Sequence, residues 1–282
     1  MFLRITGGTL RGILYEPEVA SAQVKSAVLI AGLFAGDETW IREPVQTRDH
    51  TERALPLFGA DLLRRDRSVG VRGGQRLTAA EVLVPGDFSS AAFWFVAAAA
   101  LPGSEIEVHD VGLNPTRTRL LDLLRSAGAS VVVTPSGSQS GEPRGSVQVK
   151  HDELHPMVVT ASDVPALIDE LPALAALAVH GRGLRVSGAA ELRAKESDRI
   201  AVLVAGLRKL GAEVDEYPDG FDIHEAKTLT GGTVDASGDH RMAMAFAVAA
   251  LGATGPTIIN GHDVVDISYP GFFETLAELR CL

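Results

Sequence analysis

Three helical segments of this chain end alike, at Leu57-Phe58-Gly59-Ala60, Ser126-Ala127-Gly128-Ala129 and Lys209-Leu210-Gly211-Ala212. A glycine suits a helix C-terminus, where the chain turns through a left-handed residue. β-branched residues follow each one as a strand: Val69 and Val71, Val131 to Val133, and Val214. Gly271 to Leu279 reads as a fourth copy of the same helix, cut short. Upstream of each lies an alanine-rich helix, apolar on nearly every face: Val24 to Ala35, Ser89 to Ala100, Leu171 to Val179 and Met242 to Leu251. A helix apolar all round is a buried one. A short strand separates the two helices, opened by a glycine in Gly103–Val108 and Gly183–Val186. Strand, buried helix, strand, surface helix, strand therefore recurs at roughly seventy to eighty residues, too long for the common solenoids. Strands alternating with helices predict an α/β fold with parallel pairings. Pro56 falls inside the helical stretch from Thr51 and predicts a kink or a shorter helix.

The chain has 282 residues, room for roughly two domains. With 46% hydrophobic and 22% charged residues it is an ordinary globular sequence. A net charge of −10 argues against a nucleic-acid partner, whose phosphates require a basic face. An anionic small molecule then needs a local positive field. The single cysteine, Cys281, allows no internal disulfide and fits a reducing compartment. The longest apolar run, Ala91 to Leu101, is too short to span a bilayer, and no basic n-region opens the chain. The expected location is cytoplasmic, without a membrane partner.

Local positive field is concentrated in Leu192 to Ile200, where Arg193, Lys195, Glu196, Asp198 and Arg199 crowd together. Ile200, Leu203, Val204, Leu207 and Leu210 follow at helical spacing, with Ser197 or Asp198 as N-cap. Charge at a helix start, with free backbone N–H groups, suits an anionic ligand on which a proton is moved. The plain alternative is a solvated cap with local ion pairs.

Arg193–Ile200 resembles the second signature of the EPSP synthases (5-enolpyruvylshikimate-3-phosphate synthases). Seven further segments fit the same family in the same order: Ala20–Ala27, Arg48–Glu52, Pro85–Ala91, Gly112–Arg117, Ile168–Pro172, Gly238–Ala243 and Ser268–Phe273. The resemblance implies βαβαββ units around buried helices, in two domains. Residues 1–85 would be the C-terminal portion of a first, incomplete domain, and 86–282 a nearly complete second one. Family members carry an additional N-terminal stretch with a lysine and arginines that touch both substrates, and nothing here matches it.

The implied reaction adds the 5-hydroxyl of shikimate 3-phosphate to C2 of phosphoenolpyruvate, protonates C3, and then eliminates phosphate. It needs no metal and no organic cofactor. By resemblance Asp169 is the base toward the 5-hydroxyl, where a first-turn or N-cap acid is the ordinary alternative. Glu196 is the proton carrier for C3, its flanking cations offset by burial or a second carboxylate; the alternative is a salt-bridged surface glutamate. Lys195 faces shikimate 3-phosphate. Arg199 and Arg241 clamp phosphoenolpyruvate through their guanidinium forks. His240 is either an orienting group or a packed cap residue. Ser21, Ala22 and Gln23 contact shikimate 3-phosphate, Gln23 reaching both substrates, with a simple serine cap as the alternative. Arg48 adds a phosphate contact or pairs with Glu52. Some members carry a lysine before the Ser-Tyr-Pro-Gly-Phe motif, where this chain has Asp266 and Ile267.

Two other readings stay open. One is the related transferase acting on a UDP-amino sugar (UDP-N-acetylglucosamine), disfavoured because Cys281 is no candidate for its site cysteine. The other is a non-catalytic remnant, or half of a split enzyme pairing with a separate N-terminal piece. Residues 1–85 would then fold poorly without that piece, with apolar helices such as Val24–Ala35 lacking neighbours.

Overall fold

In the computed structural model, which describes residues 4–225 and 228–279, the repeat is built in successive copies. Cys281 lies outside the described residues. The first copy runs β1 (Leu14–Tyr15), α1 (Ala22–Gly32), β2 (Glu38–Arg42), α2 (His50–Ala54), β3 (Leu62–Arg65) and β4 (Ser68–Arg72). Its sheet order is β1-β2-β4-β3. The second comprises α3 (Phe88–Ala100), β5 (Glu105–Gly112), α4 (Arg119–Ser126), β6 (Ser130–Gln139) and β7 (Glu142–Lys150), with order β5-β7-β6. Its opening strand is reduced to a parallel bridge between Gly86 and Val111. The third contains β8 (Met157–Val159), the short α5 (Val164–Leu167), α6 (Leu171–Ala178), β9 (Leu184–Val186), α7 (Arg199–Lys209), β10 (Val214–Tyr217) and β11 (Gly220–Ile223). Its order, β8-β9-β11-β10, repeats that of the first. The fourth has β12 (Gly232–Asp235), α8 (His240–Ala250), β13 (Thr257–Asn260) and α9 (Phe272–Leu279).

The expectation of parallel pairing holds only in part. β1 and β2, β8 and β9, and β12 and β13 pair in parallel, joined by the crossovers that carry α1, α6 and α8. β4 runs antiparallel to β2 and β3, as β11 does to β9 and β10. The cause is connection length: a strand returning through a tight turn pairs antiparallel, whereas a parallel partner needs a crossover. Pro56 acts as expected. α2 stops at Ala54 and a 3-10 turn over Leu55–Phe58 takes Pro56 in its first residues, where a missing N–H breaks no bond.

The described residues divide into two compact units. One holds the chain up to Pro85 plus Gly137–Pro143, with a small core of Leu29, Leu33, Ile41, Leu55, Ala60, Val69 and Val71. The other holds Gly86–Ser136 and the chain from Arg144 onward. In the latter, α3, α6 and α8, one from each copy, pack on one another and are buried almost throughout. Alanine permits that close approach. α7 packs on α8, and there Gly206 leaves no room: a Cβ would overlap the ring of Phe246. Gly206→Ala is therefore expected to destabilise the chain by about 1–3 kcal/mol, read as a lower urea midpoint at unchanged slope.

α1 departs from expectation. It ends at Gly32, and only Lys25, Leu29 and Gly32 are buried. Val24 and Ile30 are 38% and 49% exposed. A groove of about 360 Å³ runs beside this face, lined by Leu10, Ile13, Tyr15, Val24, Val28 and Ala31 among others. An apolar pattern on all faces reports that a helix lacks a polar side, not that something covers it. Among the described residues no helix is long and apolar enough to cross a membrane.

Candidate active site

The charged stretch before α7 folds around one guanidinium. Asp198 is the N-cap, accepting from the Ala201 N–H at 3.0 Å. Arg199, the first helical residue, is 1% exposed. Its Nε donates to Asp239 Oδ2 at 2.7 Å and its Nη2 to Glu196 Oε2 at 2.6 Å and Asp239 Oδ1 at 3.3 Å. Nη1 lies 3.6 Å from Asp169 Oδ1 and has no hydrogen-bond partner. Asp239 is fully buried and caps α8, accepting from the Arg241 N–H at 3.0 Å and from Ser197 Oγ at 3.1 Å. One carboxylate thus ties the starts of α7 and α8 together. Burial would push its pKa up, but the Arg199 hydrogen bond and charge, with the Arg241 amide and Ser197 hydroxyl, hold it below the usual range.

Asp169 sits between α5 and α6. It is not the cap of α6, which is Glu170. The Asp169 carbonyl accepts from Arg241 Nη1 at 3.0 Å, and its carboxylate lies 3.9 Å from Arg241 Nη2. The carboxylate is 14% exposed, sheltered without being sealed. Ser89, near the start of α3, donates to Glu170. The N-termini of α3, α6 and α8 therefore come together, a place where unpaired N–H groups and helix dipoles favour an anion.

Of the five residues expected around one site in this unit, four meet: Asp169, Glu196, Arg199 and Arg241. Lys195 pairs instead with Glu191, one turn back. Glu196 is not buried; its side chain is 51% exposed. The fork expected of Arg199 is largely engaged by Asp239, leaving Nη1 as its uncommitted nitrogen. His240 opens α8 half-buried, and burial followed by the Arg241 charge lowers its pKa. The guanidiniums of Arg199 and Arg241 beside converging helix starts suit an anion, and the carboxylates of Asp169 and Glu196 can take a proton from it or give one to it.

In the first unit Ser21 caps α1, accepting from the Val24 N–H at 3.4 Å, with Ala22 and exposed Gln23 in the first turn. Arg48 is half-buried before α2. Glu52, its candidate partner, is held by Lys25 at 2.7 Å, and Lys25 also reaches Glu43 at 2.9 Å. That buried lysine escaped the sequence reading, as did the central position of Asp239 and Glu170. The available signals were a lysine inside an apolar helix, and adjacent acids before another. Among the described residues no group of three or more His, Cys, Asp or Glu could hold a metal ion.

The family model described as EPSP synthase (3-phosphoshikimate 1-carboxyvinyltransferase) matches residues 2–276. The 3-phosphoshikimate 1-carboxyvinyltransferase of Shouchella clausii is 46% identical over 279 residues, 99% of this chain and 65% of that relative. That of Bacillus velezensis is 47% identical over 279 residues, 98% of this chain and 65% of the relative. A solved EPSP synthase from Acinetobacter baumannii superposes with TM-score 0.86 at 39% identity, covering 96% of this chain and 63% of that one. The chain thus spans about 65% of the length of these curated relatives. Its repeated units match the α/β architecture of those structures. With the match extending over nearly every residue described, this chain belongs to the EPSP synthase family.

Proposed function

We propose that this chain carries the acid–base half of the machinery that moves an enolpyruvyl group from phosphoenolpyruvate to the 5-hydroxyl of shikimate 3-phosphate. Such a step belongs to aromatic amino acid biosynthesis by way of chorismate. The observation that carries it is the buried Arg199 guanidinium, with Asp169 on one terminal nitrogen and Glu196 on the other. Asp169 takes the proton of the 5-hydroxyl as its oxygen bonds to C2, and Glu196 delivers a proton to C3. In the second step C3 returns a proton to Glu196, the bond from C2 to the phosphate oxygen breaks, and phosphate leaves with the proton that Asp169 had taken. Arg241 and Arg199 hold phosphoenolpyruvate. Lys195, Ser21, Ala22, Gln23 and Arg48 contact shikimate 3-phosphate, and Gln23 also reaches phosphoenolpyruvate. We assign it to the cytoplasm on the single cysteine.

The uncovered face of α1 favours a second element in this reading: a separate polypeptide equivalent to the N-terminal third of the relatives, seated on the first unit. The test is phosphate release from phosphoenolpyruvate with shikimate 3-phosphate, using the chain alone and with the N-terminal third of the Shouchella clausii relative. Release that rises at least tenfold on mixing is the expected result. Full-enzyme rates from the chain alone would remove the need for a partner, and no release in either case would leave a non-catalytic remnant.

A further inference from the structure

Glu170 is the most deeply buried carboxylate outside the Arg199 network, with a side chain 1% exposed. As N-cap of α6 it would ordinarily accept a helix N–H, yet it makes no such bond. Its carboxylate turns inward. It accepts from Ser89 Oγ, and Arg117 Nη2 donates to the same hydroxyl while lying 3.5 Å from Glu170 Oε1. Arg117 is itself fixed by the Asn114–Arg117 turn, where its N–H donates to the Asn114 carbonyl at 2.8 Å. The Asn114 side chain braces that turn by accepting from the Thr116 N–H at 2.9 Å. Three elements converge on one carboxylate: the start of α3, the loop before α4 and the cap of α6. Replacing a buried ion pair by apolar groups is often neutral or stabilising, so stability alone is a poor reason for this clasp.

Its position supplies another reason. Asp169 is the preceding residue, so whatever fixes the backbone of Glu170 also fixes the direction of the Asp169 side chain. We propose that Glu170, clasped by Ser89 and Arg117, is a positioning residue that holds Asp169 against Arg199 and Arg241. The two neighbours divide the work: one carboxylate is clasped by Ser89 and Arg117 as an anchor, the other lies against Arg199 and Arg241. The charged groups facing Glu170 are Arg117, Arg241 and Asp169. Burial is the main reason its pKa is raised, with the Asp169 charge acting in the same direction and the two arginines opposing. The kinetic consequence rests on the role given to Asp169 above; the structural one does not.

The test is therefore made in two arms on the whole chain. In the first, the carboxyl carbons of aspartate are labelled with 13C and the Asp169 resonance is assigned with Asp169→Asn. Glu170→Ala is expected to move that resonance toward the position of exposed aspartates, while Glu191→Ala, on the surface pair with Lys195, leaves it in place. Should Glu170→Ala lose its cooperative melt, Ser89→Ala and Arg117→Gln each remove one limb of the clasp and are read in the same way. An unmoved Asp169 resonance in folded variants overturns the proposal. In the second arm, Glu170→Gln is expected to lower the rate of phosphate release on the order of ten- to a hundredfold with KM little changed. In an Asp169→Asn background it should cost nothing further. An added loss there would show that Glu170 does not act through Asp169. Full activity in Asp169→Asn alone would instead strike the functional reading, leaving the resonance measurement to judge the clasp.

Discussion

Asp169→Asn is expected to slow phosphate release from phosphoenolpyruvate and shikimate 3-phosphate by about 10²- to 10⁴-fold, the range lost with a general base. Asparagine has the same size, and the 3.0 Å bond from Arg241 Nη1 goes to the backbone carbonyl of residue 169, which survives the change. What disappears is the acceptor for the hydroxyl proton and the negative charge facing Arg199 Nη1 and Arg241 Nη2. Losing that charge leaves both cations freer to hold an anion, so the KM for phosphoenolpyruvate should stay level or fall while kcat drops. Steady-state rates across a range of both substrates separate the two effects. A variant within about threefold of the parent rate would remove Asp169 from the chemistry, since a base lost outright costs far more.

Asp239→Ala is expected to be the most damaging single change to stability, costing about 3–5 kcal/mol, because it strands a buried guanidinium. Arg199 would keep only the half-exposed Glu196 at 2.6 Å and Asp169 at 3.6 Å, while α8 loses its cap and Ser197 its acceptor. Urea denaturation should show a large fall in midpoint. Acid probes the same contact. Asp239 is held below the ordinary aspartate value of 3.8, so its contribution is complete above that value and is lost as pH falls through the lower native one. The stability gap between the parent and Asp239→Asn should accordingly be widest near neutrality and narrow below about pH 3.8. A gap that grew on acidification would mean that the Asp239 charge is not what holds Arg199.

The repeat was readable because glycine and alanine act locally. A helix stop such as Gly128 or Gly211 and an alanine-rich run such as Leu171–Ala178 need no distant partner to be recognised. Strand direction was less so: Val69 and Val71 mark a strand, but only the short return from β3 decides that it runs antiparallel. The candidate site was half legible. Arg199 and Arg241 sit at helix starts that their caps announce, whereas the burial of Arg199 depends on Asp239, forty residues away. Charge in a sequence looks like surface until its partner is known, and this applies equally to Lys25, Glu43 and Glu52. The Lys195–Glu191 pair lay closer to view, since the two residues are one turn apart.

The three central helices of the second unit share an end. Asp87, Glu170 and Asp239 occupy the cap positions there, with Arg117 and Arg199 among them. Dipoles that begin together reinforce rather than cancel, and here the carboxylates of Asp87 and Asp239 answer them while Arg117 and Arg199 offset the acids in turn. Any anion that bound this rim in the folded chain and not in the unfolded one would raise the stability of the whole unit with its occupancy, because the three helix starts form together.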